Sequence, residues 1–299
     1  MSDRSGLVPS HPVGEQLRGF ARAILSRART TIDDRDRIQA ITVHEFRTEM
    51  KRWRAFMRLM EPFLDSSDRV WRRDAGAFAR ALASARDVQA ALDALDDLEP
   101  HAASHRLSSS GWATMRARLE ALRTEAESAS LTPAMRSRIA MGLDRASARL
   151  EHWPLDRLRF HHVAEELAQG YRRARHALPD DWRSATLDEL HHLRQRVIVH
   201  RYQIDILEPL WPGLTKSWVR QLQKLRTRLG ACQDLAVLQR FAGPHEPLAR
   251  WRAPLGTESA QRQAQHIDAV AKHAARLFAE RPGDFRRRLK RLWQALASR

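Results

Sequence analysis

Apolar positions recur every three or four residues along most of the chain, and few runs alternate with the period of a strand. Phe46, Met50, Trp53, Met57, Met60 and Leu64 form one such stripe. Leu193, Val197, Ile204, Leu207 and Trp211 form another, interrupted by His200. The segments between breaks are rich in Ala, Leu, Arg, Glu and Gln, all strong helix formers. Gly and Pro collect at punctuation points: Pro62, Pro100, Pro154, Pro179, Pro209–Gly213, Gly243–Pro254 and Pro282–Gly283. These breaks predict helices over 13–31, 35–64, 68–98, 106–151 (broken near Pro133), 154–178, 184–209, 214–242 and 257–298 (broken near Pro282). Thr132–Pro133 has the form of an N-cap followed by proline at the first helical position. Residues 1–12 read as a flexible N-terminus, and 13–299 as the folded part.

Sliding the chain by 147 positions against itself aligns His44 with His191, Arg47 with Arg194, Arg54 with Arg201 and Glu61–Pro62 with Glu208–Pro209. Trp71 meets Trp218, Arg73 meets Arg220, Leu82 meets Leu229 and Asp87 meets Asp234. These are nine identities over about 45 positions, where chance gives about two or three. The pattern is that of a duplicated helical unit, with halves at 13–153 and 154–299. Each unit is expected to bury a bundle core of its own.

On a helical wheel His44, Arg47, Lys51, Arg54 and Arg58 follow steps of 3, 4, 3 and 4, and share one strip about 80° wide. The apolar stripe lies about 120° away, and Glu45 and Glu49 fall off the basic strip. A solvated helix face usually mixes signs, because opposite charges at i,i+4 stabilise it. A strip of cations alone repels itself unless an anion compensates, yet from one helix it is equally a solvated surface. The second copy keeps His191, Arg194 and Arg201 but has Ile198 and Asp205 at the other two places. Arg73, Arg80, Arg220 and Lys224 lie off the apolar faces of the helices that follow, and Tyr171, Arg172, Arg173 and Arg175 cluster in QGYRRARHAL.

Charge changes this picture. The 299 residues carry 52 Lys plus Arg against 36 Asp plus Glu, a net charge of +16, and 47 of the 52 are arginine. Codon preference can favour Arg over Lys, but it does not produce the excess. The balance points to a polyanionic partner, and arginine suits phosphate because its planar fork donates two hydrogen bonds to one group. Cys232 is the single cysteine, so no internal disulfide forms and no cysteine cluster exists for a metal. No apolar run is long enough to span a membrane, and the N-terminus lacks the apolar segment of a signal peptide. A cytoplasmic protein is expected.

The spacing H-x-x-R-x-x-x-K-R-x-R, filled by His44, Arg47, Lys51, Arg52 and Arg54, resembles the signature of the CHAD family, the conserved histidine α-helical domain. His191, Arg194, Arg201 and Tyr202 echo it, and LRTRLGACQDLAVL (225–238) resembles the family's L-G-x-x-x-D element, with ALASARDV (81–88) as its counterpart. The resemblance covers roughly 13–298. It implies an all-α fold of two four-helix bundles related by a pseudo-twofold axis, with a basic cavity between them. It also implies binding of inorganic polyphosphate, and association with polyphosphate granules. No length remains for the CYTH-type triphosphatase domain that some relatives carry, so a stand-alone form is expected. Ile198 and Val199 stand where the second motif usually has Lys-Arg, and Arg226 where the family often has Gln, so the first copy should dominate binding.

The expected function is therefore non-enzymatic polyphosphate binding, without cofactor or catalytic metal. Its candidate residues are His44, Arg47, Lys51, Arg52, Arg54, Arg58, Arg73, Arg80, Tyr171, Arg172, Arg173, Arg175, His191, Arg194, Arg201, Tyr202, Arg220 and Lys224. Nucleic-acid binding is the alternative that charge favours, but no nucleic-acid-binding motif is visible and the tryptophans mostly fall on apolar stripes. Phosphate-processing enzymes usually hold a metal with carboxylates. No dense acidic cluster or phosphate-cradling Gly-rich loop is present. His161/Glu165 and His162/Glu166 read as surface pairs, and Asp87 and Asp234 as structural partners of nearby arginines.

Overall fold

A computed structural model describes residues 6–65, 68, 70–81, 86–102, 107–128 and 131–298. The described residues form helices and connections, with no strand. The helices are α1 (Val13–Asp33), α2 (Gln39–Met60), α3 (Val70–Ala81), α4 (Arg86–Leu98), α5 (Ser109–Ser128) and α6 (Pro133–Leu150), followed by α7 (Phe160–His176), α8 (Leu187–Ile204), α9 (Pro212–Phe241), α10 (Arg252–Leu277) and α11 (Pro282–Ala297).

Local chemistry explains most of the boundaries. Thr132 accepts a hydrogen bond from the Met135 N–H at 3.2 Å, with Pro133 in the first turn of α6. Thr186 and Glu189 make a reciprocal capping box at the start of α8. Pro212 and Pro282 open α9 and α11, where a missing N–H costs nothing. Several predicted boundaries differ. The helix expected from 35 begins at Gln39. Of the element expected at 68–98, Val70–Ala81 and Arg86–Leu98 are helical, and 82–85 lie outside the described residues. The helix expected from 154 begins at Phe160. The helix expected from 257 begins at Arg252, because Pro254 falls in the first turn, where it is tolerated. Residues 6–12 are not loose: Leu7 is fully buried and its N–H donates to the Ile206 carbonyl at 2.9 Å.

Helix pairings repeat between the halves. α1 packs on α2 and α6, and α2 on α3; α7 packs on α8 and α11, and α8 on α9. Likewise α4 packs on α5 and α9 on α10, while α2 meets α8 and α4 meets α9 across the halves. The apolar cores, however, do not divide at residue 153. One runs from α1, α2 and α6 through α7, α8, the first part of α9 and α11. The other joins α4 and α5 to the second part of α9 and the start of α10. The long α9 serves both, since it bears apolar residues along its whole length. The predicted stripe of α2 is entirely buried. That of α8 is buried except at Trp211, which is 50% exposed.

Polar groups tie the seams. Gln203 of α8 donates to the Ala55 carbonyl of α2 at 3.2 Å. Asp97 of α4 accepts from Arg262 at 2.6 and 3.0 Å and pairs with His266 at 2.6 Å, clamping α10 onto α4. His200 is fully buried among Tyr171, Trp218, Phe278 and Phe285, and burial pushes its pKa down to about 3, so it is a neutral core residue. Cys232 is buried, with its thiol pushed up to about 12.

The start of α1 lies against the chain linking α6 to α7. A Cβ built on Gly14 would sit 2.3 Å from the Leu155 carbonyl oxygen, and that backbone cannot swing away as a side chain would. Gly14→Ala is expected to lower stability by roughly 2 kcal/mol through overpacking, read as an earlier urea midpoint with unchanged slope.

Candidate functional site

The face of α2 opposite its apolar stripe opens into a cleft of about 580 Å³ lined by four helices. α2 supplies Ala40, Val43, His44, Arg47 and Lys51, and α4 supplies Arg86, Gln89, Ala90 and Asp93. α8 supplies Arg194, and α9 supplies Arg226, Thr227, Gly230 and Asp234. Five arginines or lysines and one histidine thus face two carboxylates. Spacing explains the selection: His44, Arg47 and Lys51 are successive turns of one face of α2, as Arg226, Gly230 and Asp234 are of α9.

The Arg194 guanidinium packs against α9 at Gly230, where a Cβ would lie 3.4 Å from Nε and 3.5 Å from a terminal nitrogen, in ordinary van der Waals contact. Arg194 Nε is buried without a hydrogen-bond partner. The L-G-x-x-x-D element thus lies against this arginine, with Gly230 in contact with it and Asp234 one turn further on.

The electrostatics of the cleft are unbalanced. Burial first, and then Arg226, Arg47, Arg86 and Arg194, push the Lys51 pKa from 10.5 down to about 7. Burial followed by Arg226 and Arg86 lowers Arg194 to about 10, with Asp234 opposing. Arg47 is lowered by burial and Arg86. Asp234 is raised to about 6 by burial, against the pull of Arg194. Carboxylates that could neutralise the cluster are engaged elsewhere: Glu49 takes Arg52 at 2.6 Å and Arg27 at 3.3 Å, and Asp87 takes Arg240 at 2.8 Å. Among the described residues, Lys51, Arg86, Arg194 and Arg226 have no carboxylate ion-pair partner.

The candidates read from the sequence separate accordingly. His44, Arg47, Lys51 and Arg194 line the cleft. His191 stands beside it, but Gln195 contacts its Nε2 at 2.6 Å and Gln233 its Nδ1, and burial and Arg194 lower its pKa, which disfavours the charged form. Arg52 and Arg201 both lie over the Tyr202 ring, at 5.8 and 4.5 Å from its centroid, further along the α2–α8 seam. Arg54 and Arg58 continue α2 beyond the cleft. Tyr171 is a core residue: it is fully buried, stacks on Phe285 at 4.8 Å and donates to the Glu280 carbonyl. Arg73, Arg172, Arg173, Arg175, Arg220 and Lys224 are exposed and outside the cleft lining. The side chains of Arg80 and Trp71, and residues 82–85 with Leu82, lie outside the described residues.

The sequence reading missed Arg86, Gln89 and Asp93, which one helix wheel cannot connect with α2. Asp234, read as a structural partner of arginines, stands beside Arg194 and also lines the cleft, and Asp87 pairs with Arg240. Glu165 pairs with Arg286, and Glu166 lies 3.7 Å from Arg173. Among the described residues no three His, Cys, Asp or Glu come together as metal ligands, and no helix is long and apolar enough to cross a membrane.

An all-α protein with cations gathered where α2 and α8 meet α4 and α9 is what fold and site together define. The family model of the CHAD domain matches residues 15–243, and the chain belongs to the CHAD family. Its fold is similar to that of PptA from Streptomyces chartreusis, with a TM-score of 0.64 at 17% identity, over 90% of this chain and 100% of that one. The CHAD domain from the plant Ricinus communis gives a TM-score of 0.59 at 18% identity, over 90% of this chain and 92% of that one. At these identities the likeness is one of fold. No curated protein sequence matches.

Lys51 carries a stability prediction. With a folded pKa near 7 against 10.5 unfolded, the unfolded chain binds more protons between those values, so this group makes the protein more stable as pH rises through that window. Lys51→Met is therefore expected to be more stable than wild type at pH values below about 7, with the difference narrowing towards pH about 10 in urea unfolding series.

Proposed function

We propose that the protein binds inorganic polyphosphate in this cleft, without chemical turnover. The observation that carries the reading is Lys51 set among Arg47, Arg86, Arg194 and Arg226, none of the described partners being a carboxylate ion pair for Lys51. Cations gathered around Lys51 in this way repel one another, and a phosphate chain would supply negative charge beside them. Guanidinium forks bind its oxygens in pairs, and Lys51 acts as a compact point charge. Membership of the CHAD family supports the same ligand. The site is narrower than the basic residues of the sequence suggest, and Arg86 and Arg226 join it. Association with polyphosphate granules would follow from such binding.

Titration with polyphosphate should give an affinity that falls steeply with salt, as for any ligand making several phosphate contacts. Arg47→Ala with Arg194→Ala is expected to weaken binding about 100-fold, from about 1.4 kcal/mol for each charge-assisted contact. Replacing Arg172, Arg173 and Arg175 by Ala together should change it by less than about twofold at physiological ionic strength, since remote exposed charges are screened. Equal losses in the two variants would point to diffuse charge rather than a site. Displacement of polyphosphate by DNA at equal phosphate concentration would favour the nucleic-acid reading. Shortening of polyphosphate on incubation with Mg²⁺ would overturn the absence of turnover.

A further inference from the structure

Lysine is scarce in this chain: Lys51, Lys216, Lys224, Lys272 and Lys290 are all there are. Four of them lie outside the basic cleft. Lys51 alone combines a partly buried amine, access from a cleft of about 580 Å³, and guanidinium groups that can hold a phosphate beside it.

We propose that Lys51 is a site of covalent acylation by acyl phosphates, with the cleft binding the phosphate end of the donor and delivering its acyl carbon to Nζ. The inference rests on the reading of the cleft as a phosphate site. The neutral amine attacks the acyl carbon. The C–O bond to phosphate breaks, and its electron pair leaves with inorganic phosphate. The amine proton passes to the departing phosphate, so the products are an amide on Lys51 and hydrogen phosphate. No further reactant is required.

Three features favour this lysine. Burial first, and then Arg226, Arg47, Arg86 and Arg194, disfavour the ammonium form, and the folded pKa of about 7 leaves much of the amine neutral at cellular pH. The same guanidiniums stabilise the phosphate as it leaves with its developing charge. The leaving group is thus also the recognition element. The remaining charged or titratable groups facing the cleft are His44 on α2, Asp93 on α4 and Asp234 on α9, with His191 on α8 at its edge. Asp234 is itself raised to about 6, by burial first, and its attraction is to Arg194, Arg86 and Arg226. The acyl group would remove a positive charge from the centre of the cleft, and polyphosphate affinity should fall as a result.

The test uses the intact protein with acetyl phosphate, reading acetylation of each lysine by peptide mass spectrometry over time. Lys51 is expected to react roughly tenfold faster than each of the other four near neutral pH, with half-maximal rate near pH about 7. Excess polyphosphate should protect Lys51 and leave the others unchanged. Acetylimidazole, an acyl donor without phosphate, should show a smaller preference for Lys51. If Lys51 reacts no faster than Lys216, Lys224, Lys272 and Lys290, or if polyphosphate gives no protection, the inference is overturned. Polyphosphate titration of the same sample separates the two ideas. Binding without selective acetylation sinks the inference alone, whereas absence of binding sinks the reading of the cleft.

Discussion

The arrangement depends on like charges held close together against their repulsion. Lys51 and its four guanidinium neighbours stand in a partly dehydrated cleft, where water screens them poorly. What holds them is the other side of the same helix. Phe46, Met50, Trp53 and Met57 of α2 are buried in the core, and Trp53 and Phe56 stack against Trp153 at 6.2 and 6.3 Å. Because α2 is rigid, burying its apolar face fixes the direction of its basic face. The Gln203–Ala55 hydrogen bond then sets α8, and with it Arg194, against α2.

Net charge and local charge do different work. Most of the 52 basic residues are scattered over the surface, many in ion pairs such as Arg29 with Asp33 and Asp144, or Arg288 with Glu280. Exposed pairs of this kind contribute little to stability, and the excess of +16 acts mainly as long-range attraction for anions. In the cleft the cations outnumber the two lining carboxylates, Asp93 and Asp234. Glu49 does not offset them, because it is paired with Arg27 and Arg52.

The two halves contribute unequally. In the 147-residue repeat Ile198 answers to Lys51, Gln233 to Arg86 and Ala79 to Arg226. Only Arg47 and Arg194 are matched cations in the lining. Departures from the duplicated pattern thus give the cleft its particular character, with its one amine coming from the first half and its extra guanidiniums from α4 and α9.

The sequence by itself determined the helices, the buried stripe of α2, the capping of α6, and the basic strip His44–Arg47–Lys51. These follow from local periodicity and from side-chain chemistry within a few residues. The echo at His191 and Arg194 also marked α8 as the partner of α2. Tertiary structure alone decided which cations share a space. A helix wheel fixes a residue's direction relative to its own axis, but not what that direction meets. Arg86 and Asp93 join the cleft because α4 packs on α9, and Tyr171 leaves the candidate site because its ring fits beside Phe285 in the core. The low Lys51 pKa depends on the same convergence, because it needs burial together with charges from four separate helices.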